Sequence, residues 1–441
     1  MRTSRLDPFL DLEVRLAQRT ESLKPSGKRS GVESWFPYYA GYAPSFVSDT
    51  LLGLGSKPGW KILDPWNGSG TTSSIADQFG CQVFGYDINP VATMVASARL
   101  ARLDDIEHSS GLASELLNVA SRTTVKVSTA DPLLSWLDVR TTRSFRAIEQ
   151  SILSLLGTKG GVCVNAQTQT PPPFASFFLL CLIMAAKQFT IIKNNSNPTW
   201  VTPEKAGKAK LGALECSFLE MVAKCTLDKE GDVRFCDAVN HSSNVVALSD
   251  SKELPLADVS IDAVITSPPY CTRIDYFRAT LFELAALGIC PASDQYRALR
   301  SKAMGTNLVR GVAPESTNNS ASEVVSVLDK IKGHQSKASS TYYYKHYKQY
   351  FDDAGASLDE IIRVLKPGGT AILVVQSSYY KDIPINLGDL FVAMGRHKGL
   401  DGRVVLKVPV KRVLASINPH ARRHAGTRIY TEDVVALKKE F

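Results

Sequence analysis

The residues best suited to chemistry lie in Asp262-Ala263-Val264-Ile265-Thr266-Ser267-Pro268-Pro269-Tyr270. A short apolar run ending on a Pro-Pro pair predicts a buried strand that stops abruptly and delivers Ser267 to Tyr270 onto a loop. Proline lacks an N–H, and a second proline holds the first extended, so the Pro268 carbonyl is expected to be a rigid, unpaired acceptor. Ser267 adds a hydroxyl acceptor beside it, and Tyr270 adds a flat face with a polar tip. Together these make a slot for a planar group carrying an NH2. The exocyclic amine of a nucleobase is a poor nucleophile because its lone pair is delocalised into the ring. Two acceptors on its hydrogens favour the pyramidal form and stabilise the positive charge that develops as an electrophile arrives. That chemistry needs no histidine, cysteine nucleophile or metal. A bare Pro-Pro-Tyr is usually only a proline-terminated strand, so the slot requires a second site elsewhere in the chain.

Such a site is offered by Trp60-Lys61-Ile62-Leu63-Asp64-Pro65-Trp66-Asn67-Gly68-Ser69-Gly70-Thr71, a strand running into a glycine turn and a helix near Thr71–Gln78. Gly68 and Gly70 permit a tight turn and close backbone approach, and a helix N-terminus offers free N–H groups. A dinucleotide fingerprint would carry a third glycine where Ser73 stands, so the full NAD motif is absent. The next strand, Gln82–Tyr86, ends on Asp87-Ile88-Asn89-Pro90, which places a carboxylate where ribose hydroxyls are bound in nucleoside-binding α/β folds. Ile88 could then lie against an adenine face. The bland alternative makes Asp87 the cap of a helix over 91–100. A third strand, over 244–251, closes on Asp250, an acceptor for an adenine amino group.

The elements that must position these residues are those of a mostly parallel sheet. Helices are expected over 45–54, 71–78, 91–100 and 280–287, with a strand over 370–375 and closing strands over 404–408, 411–413 and 433–437. Ser357-Leu358-Asp359-Glu360 has the pattern of a capping box that would start a helix. Residues 1–30 form a polar N-terminal extension, and 104–240 form a mainly helical insertion into a catalytic domain made of 31–103 and 241–441. Within that insertion lie Asn197-Pro198-Thr199-Trp200 and the basic stretch 205–210, a plausible substrate-recognition region. Residues 291–340, rich in Ser, Asn and Lys, suggest a mobile excursion. It leads to Tyr342-Tyr343-Tyr344-Lys345-His346-Tyr347-Lys348-Gln349-Tyr350, which suits stacking on single-stranded nucleic acid as well as it suits an amphipathic helix face. The aromatic stretch 35–46 can cover a pocket or pack on a core.

Composition sets the outer limits. The chain has 441 residues, 44% hydrophobic and 21% charged, the balance of a globular protein with ample core. A net charge of +8 permits a polyanionic partner without demanding one. No apolar run reaches the roughly 18 residues of a membrane helix, and the first residues carry no signal-peptide core, so a cytoplasmic protein is expected. The eight cysteines lack C-x-x-C or Cys/His pairing, which argues for reduced thiols and no metal site. Cys271 is expected to be a packing residue, and the basic cluster of His420, Arg422, Arg423, His424 and Arg428 to face phosphates or solvent.

With both sites in view, the chain resembles the S-adenosylmethionine-dependent DNA amino-methyltransferases, specifically the cytosine-N4 type. The resemblance rests on Phe36-Pro37-Tyr38-Tyr39, Asp64-Pro65-Trp66-Asn67-Gly68-Ser69-Gly70-Thr71, Asp87-Ile88-Asn89-Pro90, Asp250 and Thr266-Ser267-Pro268-Pro269-Tyr270, in family-like order over 31–100 and 244–440. It implies a Rossmann-like class I methyltransferase fold with a closing antiparallel hairpin. It also implies that S-adenosylmethionine is held by Tyr39, Asp64, Trp66, Gly68, Gly70, Thr71, Asp87, Ile88 and Asp250. A base flipped out of double-stranded DNA would enter the slot of Ser267, Pro268, Pro269 and Tyr270 and stack on Tyr270. A serine opening the motif favours cytosine over adenine. Members of the family serve restriction–modification or host defence, which implies a partner endonuclease or defence subunit and no membrane. Adenine-N6 methylation, methylation of an RNA base, and a non-catalytic DNA-binding subunit are the other readings. Two features depart from the family pattern: Trp66 stands where Phe is commoner, and the insertion falls between the Asp87 and Asp250 strands.

Overall fold

The computed structural model describes residues 7, 9–19, 23, 30–36, 41–159, 162–163, 165–193, 200–231, 244–271, 275–309, 321–410 and 428–440. Seven strands form the main sheet: β1 Lys61–Asp64, β2 Gln82–Asp87, β3 Val245–Leu248, β4 Ile261–Thr266, β5 Leu365–Gln376, β6 Leu400–Pro409 and β7 Thr431–Lys439. Their spatial order is β6-β7-β5-β4-β1-β2-β3. Strands β3, β2, β1, β4 and β5 pair in parallel, and β7 is antiparallel to both β5 and β6. This is a Rossmann-like sheet closed by an antiparallel hairpin. The chain order reverses between β1 and β4, and in an open α/β sheet the crevice at the carboxyl ends of such strands is where ligands bind.

Alternation along β4 explains the layering. Ala263 and Ile265 join one core with the helices Leu10–Ala17, Pro44–Gly53 and Thr71–Gln78. Val264 points the other way, into a core with Ser322–Gly333, Tyr344–Val364 and Leu387–His397. A third core joins Pro90–Arg99 to the insertion helices Ser109–Arg122, Val139–Leu156, Pro173–Lys187 and Ala213–Glu230, and to Leu281–Ala286. Helix Pro173–Lys187 is apolar on nearly every side because this lobe surrounds it, and no helix among the described residues is long and apolar enough to cross a membrane.

Several expectations change. The tyrosine-rich run and the apparent capping box are absorbed by one long helix, and the described residues of 291–340 include two helices, while 310–320 lie outside the described residues. Asp294–Lys302 and Ser322–Gly333 bury Tyr296, Val324, Leu328 and Ile331, apolar residues spaced too sparsely among polar ones to stand out in sequence. The 21-residue helix Tyr344–Val364 buries His346, Tyr347 and Tyr350, the amphipathic alternative for that run. Ser357 lies inside this helix, where its hydroxyl pairs with that of Ser251 at 2.8 Å, while Glu360 accepts from the Leu254 N–H at 2.7 Å. The capping-box residues therefore bind a neighbouring loop. β5 begins five residues earlier than the expected 370, at Leu365, and takes in Lys366-Pro367-Gly368-Gly369. The expected strand at 411–413 and the cluster from His420 to His424 lie outside the described residues.

Candidate functional site

At the carboxyl ends of β1, β2, β3 and β4 lies a partly enclosed cleft. It is lined by both loops singled out in the sequence, Asp64, Trp66, Gly68 and Thr71 from one and Ser267, Pro268 and Pro269 from the other, with Asp87, Ile88 and Asp250 following from β2 and β3 on the far side of β1. The two loops share one cavity because the strands feeding them are neighbours, with Ile62 opposite Ala263 and Leu63 opposite Val264.

Asp64 joins them directly. It is 3% exposed at the end of β1 and accepts hydrogen bonds from the Thr266 hydroxyl, from the Trp66 N–H at 3.1 Å and from the Tyr42 hydroxyl at 3.4 Å. Tyr42 in turn contacts the Thr72 hydroxyl and the Ile265 carbonyl. Burial pushes the Asp64 carboxyl up to about 7, outweighing the hydrogen bonds that oppose it. Asp87 accepts from the N–H groups of Gly68, at 2.9 Å, and Asn89, at 2.8 Å, yet burial still raises it to about 6. The helix cap once allotted to Asp87 is made by Asn89, whose side chain accepts from the Val91 N–H at 3.0 Å.

The two glycines do different work. Gly68 has φ +50° and lines the cleft with its N–H turned to Asp87. Gly70, with φ +81° at the helix N-cap, does not line the cleft; a Cβ there would stand 2.6 Å from the Ala96 Cβ. Its role is close packing of two helices, a different requirement from ligand approach.

On the opposite loop the Ser267 hydroxyl donates to the Val374 carbonyl of β5 at 2.9 Å. A hydroxyl has one proton, so what remains on Ser267 is acceptor capacity. The Pro269 carbonyl accepts from the buried Tyr350 hydroxyl at 2.9 Å, whereas the Pro268 carbonyl has no hydrogen-bond partner among the described residues. Tyr270 is 7% exposed and does not line the cleft; Tyr276 and Phe277 do, and the Tyr276 hydroxyl accepts from the Tyr270 N–H at 3.3 Å. Cys271 is buried and its thiol is pushed up by that burial, as expected of a packing residue. Tyr39 lies outside the described residues, and from the same aromatic segment it is Gly41 and Tyr42 that reach the cleft.

Sequence reasoning passed over Tyr42, Thr72, Tyr276, Lys302, Met304 and Tyr350. The first two had a legible signal, since Tyr42 belongs to the aromatic stretch and Thr72 follows the glycine turn. The others reach the loops only through tertiary packing. Among the described residues no three His, Cys, Asp or Glu side chains are grouped to hold a metal.

The chain is 22% identical over 422 residues to the type II methyltransferase M.AvaI of Nostoc sp., covering 90% of this chain and 85% of that protein. It is 23% identical over 398 residues to the type II methyltransferase M.MvaI of Kocuria varians, covering 86% and 84%. It is also 23% identical over 285 residues to M.BsoBI, a type II methyltransferase of Geobacillus stearothermophilus, where the match spans 60% of this chain and 54% of that protein. No family model matches the chain. The solved rRNA methyltransferase aviRa from Streptomyces viridochromogenes aligns over 99% of this chain and 94% of its own, at 11% identity and a TM-score of 0.29, which is too loose to argue from. The chain is similar to type II methyltransferases over most of its length and has a Rossmann-like methyltransferase fold, and together these imply S-adenosylmethionine as the methyl donor.

Proposed function

We propose that this protein methylates DNA within a restriction–modification or defence system, transferring a methyl group from S-adenosylmethionine to the exocyclic N4 amine of a cytosine flipped into the cleft. The observation that carries this reading is the polarity of the proline loop. Ser267 spends its only proton on Val374, and the Pro268 carbonyl beside it is unpartnered among the described residues, so the loop offers an amine two acceptors and no competing donor. The serine at this position favours cytosine, as in the family that the motif resembles.

The cleft's donor set suits the cofactor. Asp64, Asp87 and Asp250 line it with carboxylates, which complement a cationic, hydroxyl-bearing nucleoside, and Asp87 retains lone pairs beyond those taken by Gly68 and Asn89. When bound, S-adenosylmethionine supplies an electrophilic methyl group on sulfur. The chain's own residues do the rest. Asp87 and Asp250 hold the nucleoside, Ser267 and the Pro268 carbonyl orient the amine and draw off its developing charge, and the ring of Tyr270 or of Tyr276 borders the base. Tyr276 is favoured for that last role because it lines the cleft.

Incubation with labelled donor and mixed-sequence duplex DNA, followed by digestion to nucleosides, tests the reading. The expected product is 4-methylcytosine. 6-Methyladenine would keep the chemistry and change the base, while label on RNA alone, or none at all, would defeat the proposal. In the same assay Ser267→Ala is expected to lower kcat about 100-fold with donor affinity nearly unchanged. Asp87→Ala should mainly weaken donor binding, and the reverse pattern would refute these roles.

A further inference from the structure

We propose that the two-stranded ribbon formed by Ile191–Ile192 and Pro203–Lys205, together with Trp200 and Arg278, is the surface that grips duplex DNA beside the cleft. This rests on the DNA-methylating reading above and assigns a place to substrate binding. The ribbon stands apart from the main sheet, pairing Ile191 with Lys205 and Ile192 with Pro203. It presents Ile191, Ile192, Lys193, Trp200, Glu204 and Lys205 to solvent, apolar and cationic side chains with a single acidic one among them. Lys193 and Lys205 pair with no carboxylate among the described residues.

Two contacts tie this surface to the target slot. The Val201 N–H donates to the Arg278 carbonyl at 3.3 Å, and the Arg278 guanidinium lies 4.7 Å from the centroid of the Trp200 ring, which is itself 44% exposed. Arg278 belongs to the single helical turn Tyr276–Ala279, whose Tyr276 and Phe277 line the cleft. The base of the ribbon is anchored as well, since Lys187, at the end of the preceding helix, pairs with the buried Glu283 at 2.5 Å.

The charge and shape fit one partner. Phosphates are held by unpaired Lys and Arg, a two-stranded ribbon is narrow enough to enter a DNA groove, and a partly exposed indole stacks on a base or fills the gap that an extruded base leaves. Arg278, stacked on Trp200 and adjacent in sequence to the cleft-lining Phe277, is positioned to hold the backbone of the strand that carries the target.

Binding of a fluorescent mixed-sequence DNA duplex is measured as a function of salt, without donor, for the whole protein. Wild type should show a steep decline of affinity with salt. Arg278→Gln should weaken binding about 10-fold and reduce the slope of log affinity against log salt by about 1. Trp200→Ala should weaken binding to a similar degree at unchanged slope, and Lys193→Gln with Lys205→Gln should lower both. Unaltered donor affinity by calorimetry certifies that each variant is folded, and Trp200→Phe, which keeps an aromatic ring there, should restore most of the binding. If wild type binds and methylates DNA but none of these variants changes affinity or slope, the ribbon is not the contact. Tighter binding of single-stranded RNA than of duplex, sensitive to the same substitutions, would likewise overturn the assignment. A wild type with no affinity for DNA would instead defeat the functional reading itself.

Discussion

At Asp64 and Asp87 the structure leaves two carboxyls near neutrality, at about 7 and about 6, because burial outweighs the hydrogen bonds each accepts. Both lie above the ordinary carboxylate value, so between roughly pH 4 and 7 the folded chain binds protons more tightly than the unfolded one. Their contribution to stability is therefore full at the acid end of that window and is lost as pH rises through it. Donor binding has the opposite sign, since a cationic nucleoside needs both groups ionised. Titration calorimetry should show donor affinity rising about 10-fold between pH 5 and pH 7.5, and Asp87→Asn should weaken binding and flatten much of the rise. A flat profile in the wild type would mean that these carboxylates do not meet the donor.

Between elements, the proline loop is tethered on both sides of the Pro268 carbonyl. Ser267 is tied to β5 through Val374, and the Pro269 carbonyl is tied to helix Tyr344–Val364 through the Tyr350 hydroxyl, leaving the Pro268 carbonyl between them. Burial holds the Tyr350 phenol well above its usual range, so it remains a donor at any working pH. Tyr350→Phe preserves the ring and removes the tether. Single-turnover methylation at saturating donor and DNA is expected to slow about 10-fold while donor affinity stays as it was, the cost of misplacing a group that must be held within a fraction of an ångström. An unchanged rate constant would confine Tyr350 to the core. The same helix shows how a local pattern can mislead. Ser357-Leu358-Asp359-Glu360 has the spacing of a cap, but the apolar face formed by Tyr350, Ala354, Leu358 and Ile361 continues through it, and burial of that face outweighs the local signal.

Across the whole molecule, the helical lobe shares one apolar core with Pro90–Arg99 and Leu281–Ala286, and polar contacts reinforce that junction. Arg146, in Val139–Leu156, pairs with Asp131 at 2.9 Å and Glu149 at 2.8 Å, and also donates to the Ala285 carbonyl at 3.0 Å and to that of Ala286. These carbonyls end the helix Leu281–Ala286, which follows the proline loop in the chain, so one side chain fastens the lobe to it. Arg146→Ala would leave two acidic groups and two carbonyls without their cation. Urea denaturation is expected to register a loss of about 3 kcal/mol. A loss under about 1 kcal/mol, the scale of a surface pair, would show that the lobe is held by its apolar core alone.

Much of this architecture was legible in the sequence by itself. Strands that end on an acidic residue or a proline pair, and glycines placed before a helix, are local signals with local causes, and they marked β1, β2, β4 and the helix Thr71–Gln78 nearly to the residue. What no local signal carries is which loops become neighbours. The side-by-side placement of β1 and β4, about two hundred residues apart in the chain, brings Asp64 to Thr266 and makes one cleft of two motifs. Tertiary packing likewise turned Gly70 toward Ala96, drew Tyr270 out of the cleft lining and put Tyr276 into it, and lent Tyr350 to the proline loop. These outcomes depend on space left by distant side chains, a quantity that exists only once the sheet has closed.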